Sequence, residues 1–145
     1  MENNFFNRLI HFQHRLYLRR TAWGGVKKLL LSVIFHFVRW YYHCEIPWNV
    51  PVEDVWFCHS GFGVVINSHV KIGRGTTIQH RVTIGQTDKG YPTIGEHCYI
   101  GAGAIIVGNV TVGNHVRIGA GAVVITDIPD NSTAVGVPAR VVKTA

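Results

Sequence analysis

Residues 94–124 read IGEHCYIGAGAIIVGNVTVGNHVRIGAGAVV. Within them Ile94, Ile100, Ile106, Val112, Ile118 and Val124 fall six apart. The same spacing continues upstream through Ile84, Ile78, Ile72 and Ile66, after one gap of ten residues, a repeat plus four extra. Glycine follows the aliphatic at Gly73, Gly85, Gly95, Gly101, Gly113 and Gly119. Four residues after the aliphatic the side chain is small or β-branched: Thr76, Val82, Cys98, Ala104, Val110, Val116 and Ala122. Chance does not keep three positions in phase over ten repeats, so residues 64–126 are an internal repeat.

A period of six is too short for a helix–turn–helix unit and suits a short strand followed by a tight turn. Aliphatics at one phase then stack into a column inside a solenoid, with rungs about 4.8 Å apart. The small residue at the second phase fills the narrow interior beside the turn. Glycine after the aliphatic fits close backbone approach and the unusual dihedrals of the corners. The expected fold is mainly β, a parallel β-helix, interrupted by an insertion loop near 85–93.

At this point the chain is identified as resembling the hexapeptide-repeat acyltransferases, over roughly residues 44–143. The resemblance implies a left-handed parallel β-helix with three hexapeptides per triangular coil, an exception to the right-handed crossover rule. Within that family, Cys58-His59-Ser60-Gly61-Phe62-Gly63-Val64-Val65-Ile66 is similar to the catalytic stretch of the serine acetyltransferases. Val82-Thr83-Ile84-Gly85 and the closing run Val135-Gly136-Val137-Pro138-Ala139-Arg140 are similar as well. Glu45-Ile46-Pro47-Trp48 further resembles relatives that acetylate exopolysaccharide sugars, of the colanic-acid type.

The resemblance implies an acetyl-CoA-dependent O-acetyltransferase in which a histidine takes the proton of the attacking hydroxyl. Imidazole suits that task because its pKa lies near operating pH. The catalytic histidine of the family corresponds to His59, which sits where the repeat phase slips. The carboxylate that orients it corresponds to Glu45, with one residue fewer between the two than the family pattern has; one rung away, it would fix the tautomer and stabilise the imidazolium. The coenzyme positions carry over to Gly85, Ala102 and Ala120, small residues along a corner, with Arg140 and Lys143 as bases for the phosphates. Cys58, His80, Tyr91 and Trp56 are expected to line the acceptor site, His80 standing where relatives often have Gln.

Two departures bear on the acceptor. Serine acetyltransferases have Asp immediately before the catalytic histidine, where this chain has Cys58. They carry an Arg-His pair before the Pro leading into the next coil, where this chain has Gly90-Tyr91 before Pro92. Asp and Arg are the groups that would read the two charges of serine. The expected acceptor is therefore a sugar hydroxyl in exopolysaccharide or capsule synthesis, with serine as the alternative. Cys58 is not expected to act as a nucleophile with His59 as its base, because consecutive side chains of extended chain point apart. No metal is expected. The His ligand pair of the γ-class carbonic anhydrases, which share the solenoid, is missing, and His43-Cys44 with Cys58-His59 has no standard ligand spacing. His69, His97 and His115 receive no role.

The first 43 residues read differently, as a basic amphipathic helical segment ahead of a solenoid domain at 44–145. Val26, Leu29, Leu30, Val33, Ile34, Phe37 and Tyr41 make one apolar helical face. Gly24-Gly25 separates it from an earlier helical stretch carrying Phe5, Phe6, Leu9 and Leu16. Trp23, Trp40, Tyr41 and Tyr42 cluster at the helix ends. The preferred reading is a helical cap packed on the domain or a partner subunit, since amphipathic helices usually face protein cores. The other is an interfacial helix on an anionic membrane.

Charge follows the same division. The chain of 145 residues has 14 Lys and Arg against 8 Asp and Glu. Seven of those bases and Glu2 alone lie in residues 1–44, so the whole surplus of six sits there and residues 45–145 balance to zero. With 47% hydrophobic and 15% charged residues, disorder is excluded. No nucleic-acid motif accompanies the basic arm, and no nucleic-acid partner is expected. Three cysteines without a secretory signal point to a reduced, cytoplasmic protein, with the inner membrane face, reached through the arm, as the alternative setting. The uncharged run Leu29–Val38 is half the length of a membrane span. Relatives complete each active site between neighbouring chains, so a homotrimer is expected, with Gln86–Pro92 reaching across. A non-catalytic solenoid scaffold is the remaining alternative.

Overall fold

The structure is a computed structural model that describes residues 5–18, 25–47, 49–52 and 54–144. Two helices, α1 (Phe5–Leu18) and α2 (Gly25–Tyr42), precede a solenoid of very short strands. Of the residues singled out above, Trp23, Gly24 and Trp48 lie outside the described residues, as do the side chains of Phe5, Leu16, Val26, Leu29 and Leu30.

Three sheets form the solenoid's faces, and about four turns wind around them. The first face carries β1 (Trp56–Phe57), β4 (Thr77–Ile78), β7 (Tyr99–Ile100), β10 (Arg117–Ile118) and β12 (Ser132–Val135), in parallel. The second carries β2 (Val65–Ile66), β5 (Thr83–Gly85), β8 (Ile105–Val107) and β11 (Val123–Val124). The third carries β3 (Lys71–Ile72), β6 (Thr93–Ile94) and β9 (Thr111–Val112). Finally β13 (Arg140–Thr144) folds back antiparallel on β12 and closes the C-terminal end.

The six-residue period explains this directly. Register puts like phase on like phase, Ile78 beside Ile100 beside Ile118, and Ile66 beside Ile84 beside Ile106. Every aliphatic of the column is buried, as are Cys98, Ala104, Val116 and Ala122 of the small phase. At Gly73, Gly95, Gly101 and Gly113 the glycine after the aliphatic answers to rung spacing. A Cβ on Gly73 would lie 2.5 Å from the Gly95 carbonyl carbon, and one on Gly101 2.6 Å from the Ala120 nitrogen. The positive φ that the corners require falls at another phase, on Gly63, Arg81, Gly103 and Gly121 at one edge and on Gly75, His97, His115 and Asn131 at another.

The edge between third and first faces is bound by side chains. Arg74 Nε donates to Glu96 at 3.1 Å, Asn114 accepts from the Glu96 amide at 2.9 Å, and Asp130 accepts from the Asn114 amide at 2.7 Å. The rings of His97 and His115 stack beside this ladder, centroids 5.2 Å apart. Both functions are structural and use the corner positions of the repeat.

At the N-terminal end, β1 has a strand on one side only. The amide of Asn7 in α1 takes the missing place: Nδ2 donates to the Phe57 carbonyl at 3.0 Å and Oδ1 accepts from the Phe57 amide at 2.9 Å. Phe6 and Ile10 enter the same core as the solenoid aliphatics. By contrast, among the described side chains of α2, Val38 and Tyr42 pack on that core and Phe35 is buried, while Val33, Ile34, Phe37, Trp40 and Tyr41 are exposed. The described part of the periodic face, from Val33 to Tyr41, thus does not pack on the solenoid of its own chain. Among the described residues, no helix is long and apolar enough to cross a membrane.

Candidate functional site

The edge between first and second faces differs from the laddered one. Its corners are Cys58–Gly63, Gln79–Arg81, Gly101–Gly103, Gly119–Gly121 and Gly136–Pro138. They are tied rung to rung by backbone bonds such as Arg81 N to Phe62 O (2.8 Å), Gly103 N to His80 O (3.0 Å) and Gly121 N to Ala102 O (2.9 Å). His59, His80, Ala102 and Ala120 follow one another along it, so His59 and Ala120 stand about 15 Å apart by rung spacing.

His59 is held unusually. The turn Cys58–Gly61 places His59 (φ 49°, ψ 39°) and Ser60 (φ 55°, ψ 31°) in the left-handed region, and Gly61 follows at φ 61°. Two consecutive non-glycine residues there cost about 1–2 kcal/mol each, and such strain collects at functional sites. Packing enforces the turn: a Cβ on Gly61 would meet the Phe6 ring at 2.7 Å. The His59 side chain is exposed, with its ring edge-on to that of His80, centroids 5.0 Å apart at 84°. His80 is half-buried, and its Nδ1 is buried without a hydrogen-bond partner among the described residues. An orphaned buried polar atom costs about 1–3 kcal/mol. It therefore asks for a functional account.

Several sequence expectations are placed elsewhere. Glu45 does not meet His59. It forms a parallel bridge with Val65, accepting from the Ile66 amide and donating to the Val64 carbonyl, and this turns its carboxylate outward to Arg39, 4.0 Å away. Trp56 is half-buried and its ring packs edge-on against His11 of α1, centroids 6.1 Å apart. Tyr91 lies at the edge between second and third faces, its ring stacked on His69 at 5.4 Å. The insertion there is a tight turn closed by Thr87 and Gly90 bonding each other at 2.9 and 3.1 Å. Antiparallel pairing puts Arg140 opposite Val135, beside the candidate edge, and carries Lys143 away to Thr133. Lys143 instead lines an open cavity of about 350 Å³ with His115, Arg117, Asn131, Ser132 and Thr133. Gly85 closes β5 on the second face, its open side toward Val107. Cys58 is half-buried.

Sequence reasoning passed over Arg81. It occupies the left-handed corner position next to His80, its stem lies over Gly63 (3.1 Å from an added Cβ), and it is exposed without an ion pair among the described residues. A charged residue at a corner phase directly after a candidate ligand is the signal that could have found it. Burial pushes the thiols of Cys44 and Cys98 up, so both stay protonated; Cys98 Sγ donates to the Gly113 carbonyl at 3.1 Å. Among the described residues no group of three or more His, Cys, Asp or Glu could hold a metal ion.

Residues 91–126 match the family described as bacterial transferase hexapeptide (six repeats). The chain is 43% identical over 139 residues to a serine acetyltransferase of a Synechocystis species, covering 92% of this chain and 53% of that protein. Among solved structures it is similar to a serine acetyltransferase in complex with cysteine (TM-score 0.77, 29% identity, 95% of this chain and 56% of the other). It is also similar to a serine acetyltransferase in complex with CoA (TM-score 0.75, 29% identity, 94% and 55%). The chain spans about half the length of these relatives. None of the three is an exopolysaccharide acetyltransferase, and that part of the resemblance finds no support. Fold and comparison together make the solenoid a left-handed parallel β-helix like that of the serine acetyltransferases, and residues 91–126 match the hexapeptide transferase repeat.

Proposed function

We propose that the chain is an acetyl-CoA-dependent O-acetyltransferase whose acceptor is serine, with His59 as general base. The observation that carries this is the strained His59 turn, opened to solvent at the edge where His80 and the small residues Ala102 and Ala120 line up. The hydroxyl of the acceptor gives its proton to His59 as its oxygen attacks the thioester carbonyl. The tetrahedral intermediate then collapses, the C–S bond breaks, and the thiolate of coenzyme A leaves and takes up the proton. Attack is direct, without an acyl-enzyme on Cys58. The pantetheine arm runs along the edge past Ala102 and Ala120, with Arg140 beside the far end; Gly85 and Lys143 lie off this line. Glu45 has no part, since its carboxylate pairs with Arg39.

Serine replaces the sugar acceptor that the sequence first suggested, because the relatives bear the name serine acetyltransferase. Cys58 and Gly90-Tyr91 lack the charges that would read serine, and Arg81 supplies a cation from the next rung. A homotrimer, with a neighbouring chain's insertion completing the site, is the assembly this reading favours, and a reduced cytoplasmic setting fits the buried, protonated thiols of Cys44 and Cys98.

Thiol release from acetyl-CoA, measured with L-serine and with nucleotide- and lipid-linked sugars side by side, tests the proposal. His59→Ala is expected to lower turnover by about 10²–10⁴-fold. Arg81→Ala should raise KM for serine more than it lowers kcat. Wild-type turnover by His59→Ala, or acetylation of sugars alone, overturns the reading.

A further inference from the structure

Among the described residues, α2 carries five of the exposed large apolar side chains on one stretch, from Val33 to Tyr41. Val33, Ile34, Phe37, Trp40 and Tyr41 are 50–69% exposed, whereas Phe35 on the opposite side is 9% exposed and Val38 and Tyr42 pack on the core. The exposed residues are contiguous: the Phe37 ring lies 5.8 Å from that of Trp40 and is stacked on that of Tyr41 at 6.4 Å. Scattered exposed apolar residues need no explanation, but a joined patch marks a contact surface.

Charge selects the partner. Residues 3–44 hold seven Lys and Arg and no acid, while the solenoid from residue 45 balances to zero. A second copy would bring the same surplus against itself. An anionic surface would be drawn to it. Tryptophan and tyrosine with an apolar body and a polar tip suit the boundary between headgroups and acyl chains, and so does an apolar stripe on a basic helix. The helix is not long and apolar enough to cross, so it would lie in the plane of the surface.

We propose that α2 is a docking helix for anionic lipid bilayers, with Val33, Ile34, Phe37, Trp40 and Tyr41 entering the interface and the net positive charge of residues 3–44 drawing the helix to anionic headgroups. The solenoid then hangs from the membrane by the side of α2 that packs on it.

The test is co-sedimentation of the full chain with vesicles of phosphatidylcholine alone and of phosphatidylcholine with phosphatidylglycerol. Binding is expected to the anionic vesicles only, and is expected to be lost near about 0.5 M salt, where the Debye length shrinks to a few ångström. Exchanging Phe37→Asp and Trp40→Asp together should weaken binding by about tenfold or more, since each exchange puts a charge where an exposed aromatic would enter the bilayer interface. Lys27→Ala and Lys28→Ala should each weaken it by roughly fivefold. Thermal melts in vesicle-free buffer confirm that each variant folds. Equal binding to both vesicle types, or binding to neither, overturns the proposal. So does a Phe37→Asp, Trp40→Asp variant that binds normally, or one whose change is a different oligomeric state in vesicle-free solution, which would assign the face to a second copy. None of these results bears on acetyl transfer, which is read separately by thiol release.

Discussion

The two helices are alike in composition and opposite in use. Both are apolar on one stripe, both are basic, and neither contains an acid. Yet α1 buries Phe6, Asn7 and Ile10 to 1–3% exposure, while α2 leaves Val33, Phe37 and Trp40 at 60% or more. What separates them is the surface each meets. The first rung of a solenoid has an open strand edge and an open end of core. By its Asn7 amide, α1 stands in for the missing strand, and by Phe6 and Ile10 it stands in for the missing rung. A helix that replaces part of a repeat must satisfy polar and apolar groups together. One that only leans on the solenoid keeps a free face, and α2 keeps its most aromatic one.

Removing the apolar plug of α1 should have the largest effect. Phe6 contacts Phe57 and Tyr42 edge-on, centroids 6.1 and 5.0 Å away, and presses on Gly61. Phe6→Ala is expected to cost about 3–5 kcal/mol in urea unfolding. Because the same ring holds the His59 turn, thiol release should fall as well, at temperatures where the variant is still folded. Stability loss without loss of turnover would show that α1 closes the core but does not support the site.

Next comes the polar half of the contact. Asn7→Ala orphans the amide and carbonyl of Phe57, and buried unpaired groups cost about 1–3 kcal/mol. Asn7→Asp keeps an acceptor for the Phe57 amide but loses the donor to its carbonyl, so its midpoint should be lowered too. If Asn7→Ala melts as wild type, α1 is a cap by apolar contact alone and the comparison with α2 becomes one of area.

How much of this was legible follows from the kind of signal each feature leaves. The column Ile66 to Val124 was readable because a six-residue period maps one phase onto one interior position, whatever surrounds it. The handedness was not in the period and came with the resemblance. The α2 stripe was readable as apolar, but periodicity names a face and not what covers it, so its exposure came only with the fold. Asn7 was invisible, a polar residue inside an apolar run whose partner is 50 residues away. His59 stood out by its neighbours Ser60 and Gly61 and by the slip in phase. Glu45 was placed by spacing, and the fold sets its carboxylate toward Arg39 instead of His59. One rung of separation leaves two residues near each other, but the bridge to Val65 decides which way the carboxylate faces. The place of Lys143 was hidden for a similar reason, since the return of β13 against β12 reverses direction and sets it opposite Thr133.

The smallest effect is expected on α2, and it is the sharpest check on the comparison. Val33→Ser and Ile34→Ser remove methyl groups from side chains that are 60% and 50% exposed and touch no part of the described core. Substitutions at such positions change stability within about 0.5 kcal/mol either way. Urea unfolding of the two variants in vesicle-free buffer should therefore overlay on wild type, with the same midpoint and the same slope. The reasoning depends on the face being open in solution. A loss above about 1 kcal/mol per substitution would mean that apolar surface is being taken out of water there. If that loss also grew with protein concentration, the cover would be another copy of the chain, since subunit association makes stability concentration-dependent. The difference between α1 and α2 would then be one of partner, own solenoid against neighbouring chain, and no longer one of buried against free.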